Sequence, residues 1–170
     1  MRNLLITGGL GFIGSHTCIE LINSGYQVYV VDSLVNSDLS NLERVKKVIK
    51  KKGGDSSKLK FFEGDICDKQ FLKSVFENAY KNGNFIEGVI HFAGLKSVTK
   101  SIINPVDYWE NNVVASINLI KVMQLYNITN LIFSSSAAVY SPFNKSPISE
   151  SGDIKPLSPY GKTKNCIEEI

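Results

Sequence analysis

A tyrosine and a lysine near the carboxyl end of the chain have the types and the spacing of a proton-transfer pair. Tyr160 and Lys164 belong to the stretch SPYGKTK, in which Ser158 suits an N-cap and Pro159 the first position of a helix. Residues four apart lie on one face of a helix, so the ammonium would lie near the phenol. A free tyrosine has a pKa of about 10, and a nearby positive charge favours its phenolate. Tyr160 is therefore a candidate base for an alcohol proton.

The spacing alone is a weak signal, because an exposed helix face can carry the same two residues. Their position is more informative, since they follow a predicted strand that ends in three serines, Ser134 to Ser136. Ser136 could hydrogen-bond the same alcohol oxygen as the tyrosine. The first two serines could instead satisfy backbone groups at the end of the strand.

A second candidate site is the glycine-rich stretch TGGLGFIGSH, which directly follows the apolar residues Leu4 to Ile6. Its glycines fit GxxGxxG on Gly8, Gly11 and Gly14, or GxGxxG when Gly9 replaces the first of them. Both patterns are typical of a strand-to-helix turn whose N–H groups bind a pyrophosphate. A glycine turn without a ligand is the alternative, and the surrounding elements have to decide between the two.

The elements around the glycines meet the requirements of a dinucleotide site. Arg2 to Thr7 is predicted to be a buried strand, and Phe12 to Asn23 a helix that is ended by Gly25. A second strand, Gln27 to Val31, leads into Asp32. A carboxylate at this position accepts hydrogen bonds from the adenosine ribose and repels a 2′-phosphate, so the sequence favours NAD over NADP. The candidate base would then deprotonate an alcohol while hydride passes to NAD.

Strand and helix patterns alternate along the rest of the chain. Strands are predicted at 59–63, 88–92 and 130–134, and helices at 69–80, at 105–126 with Asn104 as the cap, and from Pro159 onward. This alternation predicts an α/β fold with a doubly wound parallel sheet of the Rossmann type. Ligands of such sheets bind at the carboxyl ends of the strands, so one crevice is expected to hold all of the candidate residues.

Composition and charge exclude several classes of partner. The net charge of +3 comes largely from the lysine-rich segment Lys46 to Lys60, which has no interleaved aromatic residues and is predicted to be a solvated insertion rather than a nucleic-acid site. The three cysteines suggest neither a disulfide framework nor a metal site. No leader precedes the first strand, and no apolar run reaches the roughly 18 residues of a membrane span. The chain is therefore expected to be cytoplasmic and to bind no membrane.

Seven consecutive motifs resemble those of the UDP-glucose 4-epimerases, members of the extended short-chain dehydrogenase/reductase superfamily. These motifs are TGGLGFIGSH, VVDSLVNS, EGDICD, HFAGLKSV, ENNV, FSSSAAVY and SPYGKTK, in the order of the family and over nearly the whole chain. By this similarity the glycines are read as GxxGxxG. Related dehydratases carry an Asp-Glu pair, and decarboxylases a Glu, where this chain has Ala137 and Ala138. This difference favours epimerisation, and another nucleotide-sugar-modifying member of the superfamily is the alternative.

The resemblance also implies a reaction and a set of site residues. NAD would take a hydride from a UDP-hexose such as UDP-glucose or UDP-galactose, the 4-keto sugar would rotate, and the hydride would return to the opposite face. Ser136, Tyr160 and Lys164 would be the catalytic residues. The residues implied to bind NAD are Gly8, Gly11, Phe12, Ile13, Gly14, Asp32, Asn36, Ser37, Asp65, Ile66, Phe92, Ala93, Gly94, Lys96, Asn112, Ser134, Tyr160 and Lys164.

The resemblance covers only the amino-terminal half of the family. Residues 1–170 are therefore expected to be one incomplete NAD-binding Rossmann domain, without the last strands and the carboxy-terminal nucleotide-sugar domain. Two interpretations stay open: half of an epimerase from a longer or split gene, or a non-catalytic NAD-binding fragment. The resemblance implies a homodimer of the full-length protein, paired through the helix at 105–126 and the one from Pro159. Ser141 departs from the glycine that the family has after Tyr140, which leaves the geometry of that loop open.

Overall fold

A computed structural model of the protein describes residues 2–170 and divides into two units. The first unit contains the described residues up to Ala93 together with Asn118–Phe133. The second contains Gly94–Ile117 and Ser134–Ile170. The assignment of all 170 residues to a single NAD-binding domain stays a prediction.

The first unit is built on a five-stranded sheet. Its strands are β1 (Asn3–Thr7), β2 (Gln27–Asp32), β3 (Leu59–Glu63), β4 (Ile86–His91) and β5 (Leu131–Phe133). All neighbouring pairs are parallel, in the order β3-β2-β1-β4-β5, which confirms the predicted doubly wound α/β fold. Every residue of β2 is buried, as expected for a strand of a parallel sheet with both faces covered.

Three helices of the first unit follow the strands to which they are joined. They are α1 (Phe12–Asn23), α2 (Ser40–Lys51) and α3 (Lys69–Lys81). Ile19 and Ile22 of α1 pack in one core cluster with Val28 and Val30 of β2. Gly25 lies just beyond α1 with φ +93°, a conformation that glycine adopts at little cost, so this predicted helix end is correct.

The lysine-rich segment is solvated over most of its length, as the sequence predicts, but Ile49 and Leu59 within it are buried. Its first residues form the last turns of α2, in which Val45 and Ile49 are buried in the core of the first unit. Its last residues, Leu59 and Lys60, begin β3. Buried side chains three to four positions apart face the core, while lysines occupy the solvent face between them. The high lysine content conceals this amphipathic pattern from a reading of charge alone.

The second unit contains short helical segments and the helix of the predicted proton-transfer pair. The segments are α4 (Val98–Ile103), α5 (Pro105–Tyr108) and a π-helical stretch (Trp109–Val114) that leads into α6 (Ala115–Leu125), and α7 (Pro159–Glu169) follows. The sequence did not predict α4, which Ser97 caps by accepting a hydrogen bond from Lys100 N. Asn104 is the N-cap residue of α5 and Pro105 its first residue, as the sequence predicts, although the Asn104 side chain makes no capping hydrogen bond. The same residue ends α4, where its N–H donates to Lys100 O.

The loop before α7 accommodates Ser141, at the position where the family that the motifs resemble has glycine. Ser141 is buried, its N–H donates to Asp153 O over 2.8 Å, and it is not among the described residues with positive φ. Tyr140 and Ile154 form an isolated antiparallel bridge beside it. The loop therefore needs no glycine at position 141. Across residues 2–170, no helix has the length and apolarity to cross a membrane.

Candidate functional site

The glycine turn between β1 and α1 has a backbone that side chains would obstruct. Gly8 has φ +67°, and a Cβ there would lie 2.7 Å from Ala93 N. A Cβ on Gly14 would collide with Gly8 O and lie 2.7 Å from Gly9 Cα. These two glycines therefore allow β1, α1 and the end of β4 to approach closely, which no residue with a Cβ permits without displacement.

Gly11 is less crowded than these two glycines, and it lines a cavity. The only atom within 4 Å of a Cβ at this position would be Gly8 O, at 3.3 Å. Gly11 immediately precedes α1, and Phe12 and Ile13 follow with exposed side chains. The first N–H groups of a helix lack intrahelical partners and lie at its positive dipole end. The turn thus has open space and donors suited to a pyrophosphate.

Asp32 at the end of β2 is buried and already holds the turn in place. Its Oδ2 accepts a hydrogen bond from Leu10 N (2.9 Å), and its Oδ1 accepts from Leu34 N (3.0 Å) and Ser37 Oγ (2.8 Å). A carboxylate has about four acceptor positions, so about one is left for a ribose hydroxyl. Leu34 adopts a left-handed conformation with φ +61°, which lets the chain turn back over the carboxylate.

A cavity of about 330 Å³ lies in the first unit beside this turn. Residues from the turn, α1 and the segment from β2 into α2 line it, among them Gly11, Phe12, Asn36, Ser37, Asn41 and Arg44. The structure therefore brings four of the predicted cofactor residues, Gly11, Phe12, Asn36 and Ser37, to one cavity.

The predicted site residues after β3 and β4 also belong to the first unit. Asp65 is exposed, and its Oδ1 accepts a hydrogen bond from Cys67 N, while Ile66 is buried. Phe92 and Ala93 follow β4, where the N–H groups of both donate to Thr7, to its carbonyl and its hydroxyl respectively. Thr7 thereby ties the end of β4 to the start of the glycine turn.

Tyr160 and Lys164 lie one turn apart on α7 in the second unit. Ser158 caps this helix by accepting from Gly161 N over 3.0 Å, as the sequence predicts. Tyr160 is 8% exposed and meets the ring of Tyr108 edge to face. Lys164 is 5% exposed, its Nζ donates to Ser134 O over 2.9 Å, and burial lowers its pKa from 10.5 to about 8.

The other predicted residues of the second unit differ in their surroundings. Ser136 Oγ accepts a hydrogen bond from Ala138 N over 3.2 Å. A Cβ on Gly94 would lie 3.0 Å from Asn112 Oδ1 and 3.9 Å from Lys164 Nζ, so Gly94 lets the backbone pass close to both. Lys96 is exposed. The structure thus brings Gly94, Asn112, Ser134 and Lys164 together.

Asn112 is a buried residue of the π-helical stretch with a fully engaged amide. Its Oδ1 accepts from Leu95 N (2.8 Å), and its Nδ2 donates to Leu95 O (3.0 Å) and Thr163 Oγ1 (3.1 Å). Thr163 in turn donates to Tyr160 O over 2.7 Å. In this structure Asn112 connects the strand exit at Leu95 to α7, and the NAD contact that the resemblance implies for it stays a prediction.

Comparison with known proteins places the chain in a family. The sequence profile described as GDP-mannose 4,6 dehydratase matches residues 5–170. The chain belongs to this family. One similar relative is UDP-glucose 4-epimerase of Bacillus subtilis (strain 168). It is 44% identical over 98% of the chain and 46% of the relative. UDP-glucose 4-epimerase 2 of Arabidopsis thaliana is 41% identical over 99% of the chain and 46% of the relative.

Solved structures similar to this family member include UDP-glucose 4-epimerases. The enzyme of Stenotrophomonas maltophila, with bound NAD and formylated UDP-arabinopyranose, has a TM-score of 0.88 at 38% identity, over 99% of the chain and 47% of the other. The enzyme of Bifidobacterium longum, in complex with NAD⁺ and UDP, has a TM-score of 0.87 at 39% identity, with the same coverage. The family member therefore spans about half the length of the relatives that it matches.

Sequence reasoning missed several polar residues that support the site of this family member. Thr163 lies inside the YxxxK motif without being part of it, and only its bonds to Asn112 and Tyr160 reveal a role. Asn41 resembles an ordinary first-turn residue of α2, yet its amide reaches Leu10 O. His91 is buried, and its Nδ1 lies 2.6 Å from Thr7 Oγ1. The predicted single crevice for all site residues stays a prediction.

The lowered pKa of Lys164 predicts how the stability of this family member depends on pH. Below about pH 8 the amine is protonated in the folded and in the unfolded chain, so the cost of burying its charge is fully present. Between about 8 and 10.5 the unfolded amine binds more protons than the folded one, and the stability contributed by Lys164 therefore rises with pH.

We expect the unfolding free energy of the wild type, relative to that of Lys164→Met, to increase by up to about 1.4 kcal/mol per pH unit across this window. Urea unfolding of both proteins from about pH 7 to about pH 10, followed by the fluorescence of Trp109, measures the difference. Because Lys164→Met keeps every other titrating group, a difference that does not change with pH would contradict burial of the amine in a weakly solvated site.

Proposed function

We propose that this chain supplies the NAD-binding and proton-transferring half of a UDP-hexose 4-epimerase. The observation that carries the proposal is the arrangement on α7, where Tyr160 lies one turn from a buried Lys164 whose ammonium is held by Ser134 O. Relatives named UDP-glucose 4-epimerase and similar structures that contain NAD support it. The relatives are about twice as long, so the activity is proposed for the whole protein.

The residues of the first unit fit a dinucleotide. The open side of Gly11 and the first N–H groups of α1 would hold the pyrophosphate, and Asp32 has an acceptor position left for the ribose. When bound, NAD⁺ supplies a hydride acceptor that can return the hydride to the sugar.

The residues of the second unit would control the proton of the reacting hydroxyl. Tyr160 takes the proton from the 4′-hydroxyl and gives it back when the alcohol forms again, because the same group must act in both directions. The positive charge of Lys164 stabilises the phenolate, and Ser136 hydrogen-bonds the reacting oxygen. Oxidation and re-reduction at one carbon leave no net redox change.

Epimerisation is favoured over dehydration although the family profile carries a dehydratase name. In the related dehydratases an Asp-Glu pair precedes the Val-Tyr dipeptide, and here Ala137 and Ala138 begin the short helical turn at that place. Methyl groups can neither donate nor accept a proton for elimination of water. A place in galactose metabolism, a cytoplasmic location and a homodimer of the full-length protein belong to the same proposal.

The first test is a calorimetric titration of the 170-residue chain with NAD⁺ and with NADP⁺. We expect NAD⁺ to bind at least about tenfold more tightly, because the Asp32 carboxylate repels a 2′-phosphate. No binding of NAD⁺, or equal binding of both, would contradict the assignment of the first unit. The protein expressed from the complete gene should interconvert UDP-glucose and UDP-galactose, and binding of NAD⁺ without turnover would identify a non-catalytic NAD-binding protein.

A further inference from the structure

The backbone of Leu10 is hydrogen-bonded at both its N–H and its carbonyl, although glycines flank it. Its N–H donates to Asp32 Oδ2 over 2.9 Å, and its carbonyl accepts from Asn41 Nδ2 over 3.0 Å. The side chain of Leu10 is 1% exposed and belongs to the core of the first unit. The neighbouring glycines give this turn many accessible backbone conformations. Each hydrogen bond to Leu10 reduces this conformational entropy, which a ligand would otherwise have to reduce on binding.

The orientation of the Asn41 amide is determined by its neighbour Arg44. Arg44 Nη1 donates to Asn41 Oδ1 over 3.2 Å, which leaves Asn41 Nδ2 to donate to Leu10 O. Both residues belong to α2, and both line the cavity that Gly11, Phe12 and Ser37 also line. The hydrogen bond from Asn41 to Leu10 O therefore connects α2 to the middle of the glycine turn at the wall of the cavity.

We propose that Asn41 is a positioning residue that fixes the glycine turn for a diphosphate ligand. The inference rests on the proposed NAD site but assigns a role to a residue outside the recognised motifs. Asp32 holds the N–H of the Gly9–Leu10 peptide, whereas the Leu10–Gly11 peptide is held by Asn41 at its carbonyl and by Gly8 O at its N–H, over 3.2 Å. Without Asn41, the bond from Gly11 N to Gly8 O fixes the Leu10–Gly11 peptide at one end only, so its carbonyl end can tilt more freely. The N–H groups that follow it at the start of α1 then no longer have a fixed direction, and the ligand bears the cost of ordering them.

The test is the affinity of the 170-residue chain for NAD⁺ in the variants Asn41→Asp and Asn41→Leu. The first keeps an oxygen for Arg44 but cannot donate to Leu10 O, and the second removes the donor without adding charge near the phosphates. Each should raise the Kd for NAD⁺ by about 5-fold, the effect of one lost hydrogen bond. The matched control is Asn130→Asp, which removes a similar bond, 2.9 Å from Asn130 Nδ2 to Glu87 O, at the amino end of β4. This control should leave the Kd unchanged within about twofold.

A ligand without phosphates separates positioning from a general loss of structure. NMR titrations with ADP-ribose and with adenosine should show the ADP-ribose Kd raised in both Asn41 variants and the adenosine Kd unchanged. Equal weakening of both ligands, or weakening in Asn41→Asp alone, would overturn the proposal, since the cause would then be misfolding or the added charge. If the wild type fails to bind NAD⁺, the proposed function fails. If the wild type binds and both Asn41 variants bind equally well, only this inference fails.

Discussion

Replacement of Tyr160 by Phe is expected to lower the rate of UDP-galactose conversion to UDP-glucose by about 10²- to 10⁴-fold. The phenylalanine ring keeps the edge-to-face contact with Tyr108 and the burial of α7, so only the hydroxyl is lost. Removing a proton acceptor from the reacting alcohol acts mainly on the transition state, so kcat should fall far more than the affinity for NAD⁺. The measurements are kcat of the protein expressed from the complete gene and the Kd for NAD⁺ of the same preparation.

The control for this variant is Tyr80→Phe. Tyr80 is a half-exposed tyrosine of α3 that contacts Phe85 and Tyr126 in the first unit. Its change should leave kcat within about twofold, as expected for an exposed substitution outside the site. Retention of wild-type turnover by Tyr160→Phe would show that Tyr160 is not the base and would remove the main support for the proposed chemistry.

Replacement of Gly8 by Ala is expected to destabilise the folded chain by about 2–5 kcal/mol. A left-handed conformation costs alanine roughly 1–2 kcal/mol, and forcing a methyl group into a packed region costs typically 1–3 kcal/mol more. The methyl group would face Ala93 N at 2.7 Å and Ala93 Cα at 2.9 Å, which are backbone atoms that cannot rotate away. Urea unfolding of the 170-residue chain, followed by far-ultraviolet circular dichroism, gives the free energy.

Gly53→Ala provides the matched comparison. Gly53 also has a positive φ, +81°, but no atom lies within 4 Å of a Cβ at this position. Gly53→Ala should therefore lower the unfolding free energy by only roughly 1–2 kcal/mol, which is the cost of the left-handed backbone conformation for alanine. Equal destabilisation by the two variants would show that the approach of β1 to the end of β4 is not as close as described.

The sequence alone predicted those features whose pattern is local or periodic. Apolar runs bounded by turn residues predicted all five strands to within two residues, because the strands of a parallel sheet are rich in apolar residues. Ser158, Pro159 and Gly25 marked helix ends correctly, since capping depends on neighbouring residues alone. The glycine spacing, Asp32 and the Tyr160–Lys164 pair pointed to a candidate site because ligand chemistry restricts which residues can serve there.

Only the tertiary structure decided which residues support those motifs. Asn41 and Leu10 are 31 positions apart, and Asn112 and Thr163 are 51 apart, so no local pattern links either pair. The burial that lowers the pKa of Lys164 arises from packing between segments far apart in the sequence, among them the one that contains Ser134. The sequence by itself determined the order of the elements and the candidate chemical groups. The directions in which those groups donate, accept or hold charge depend on long-range contacts, and these exist only in the folded chain.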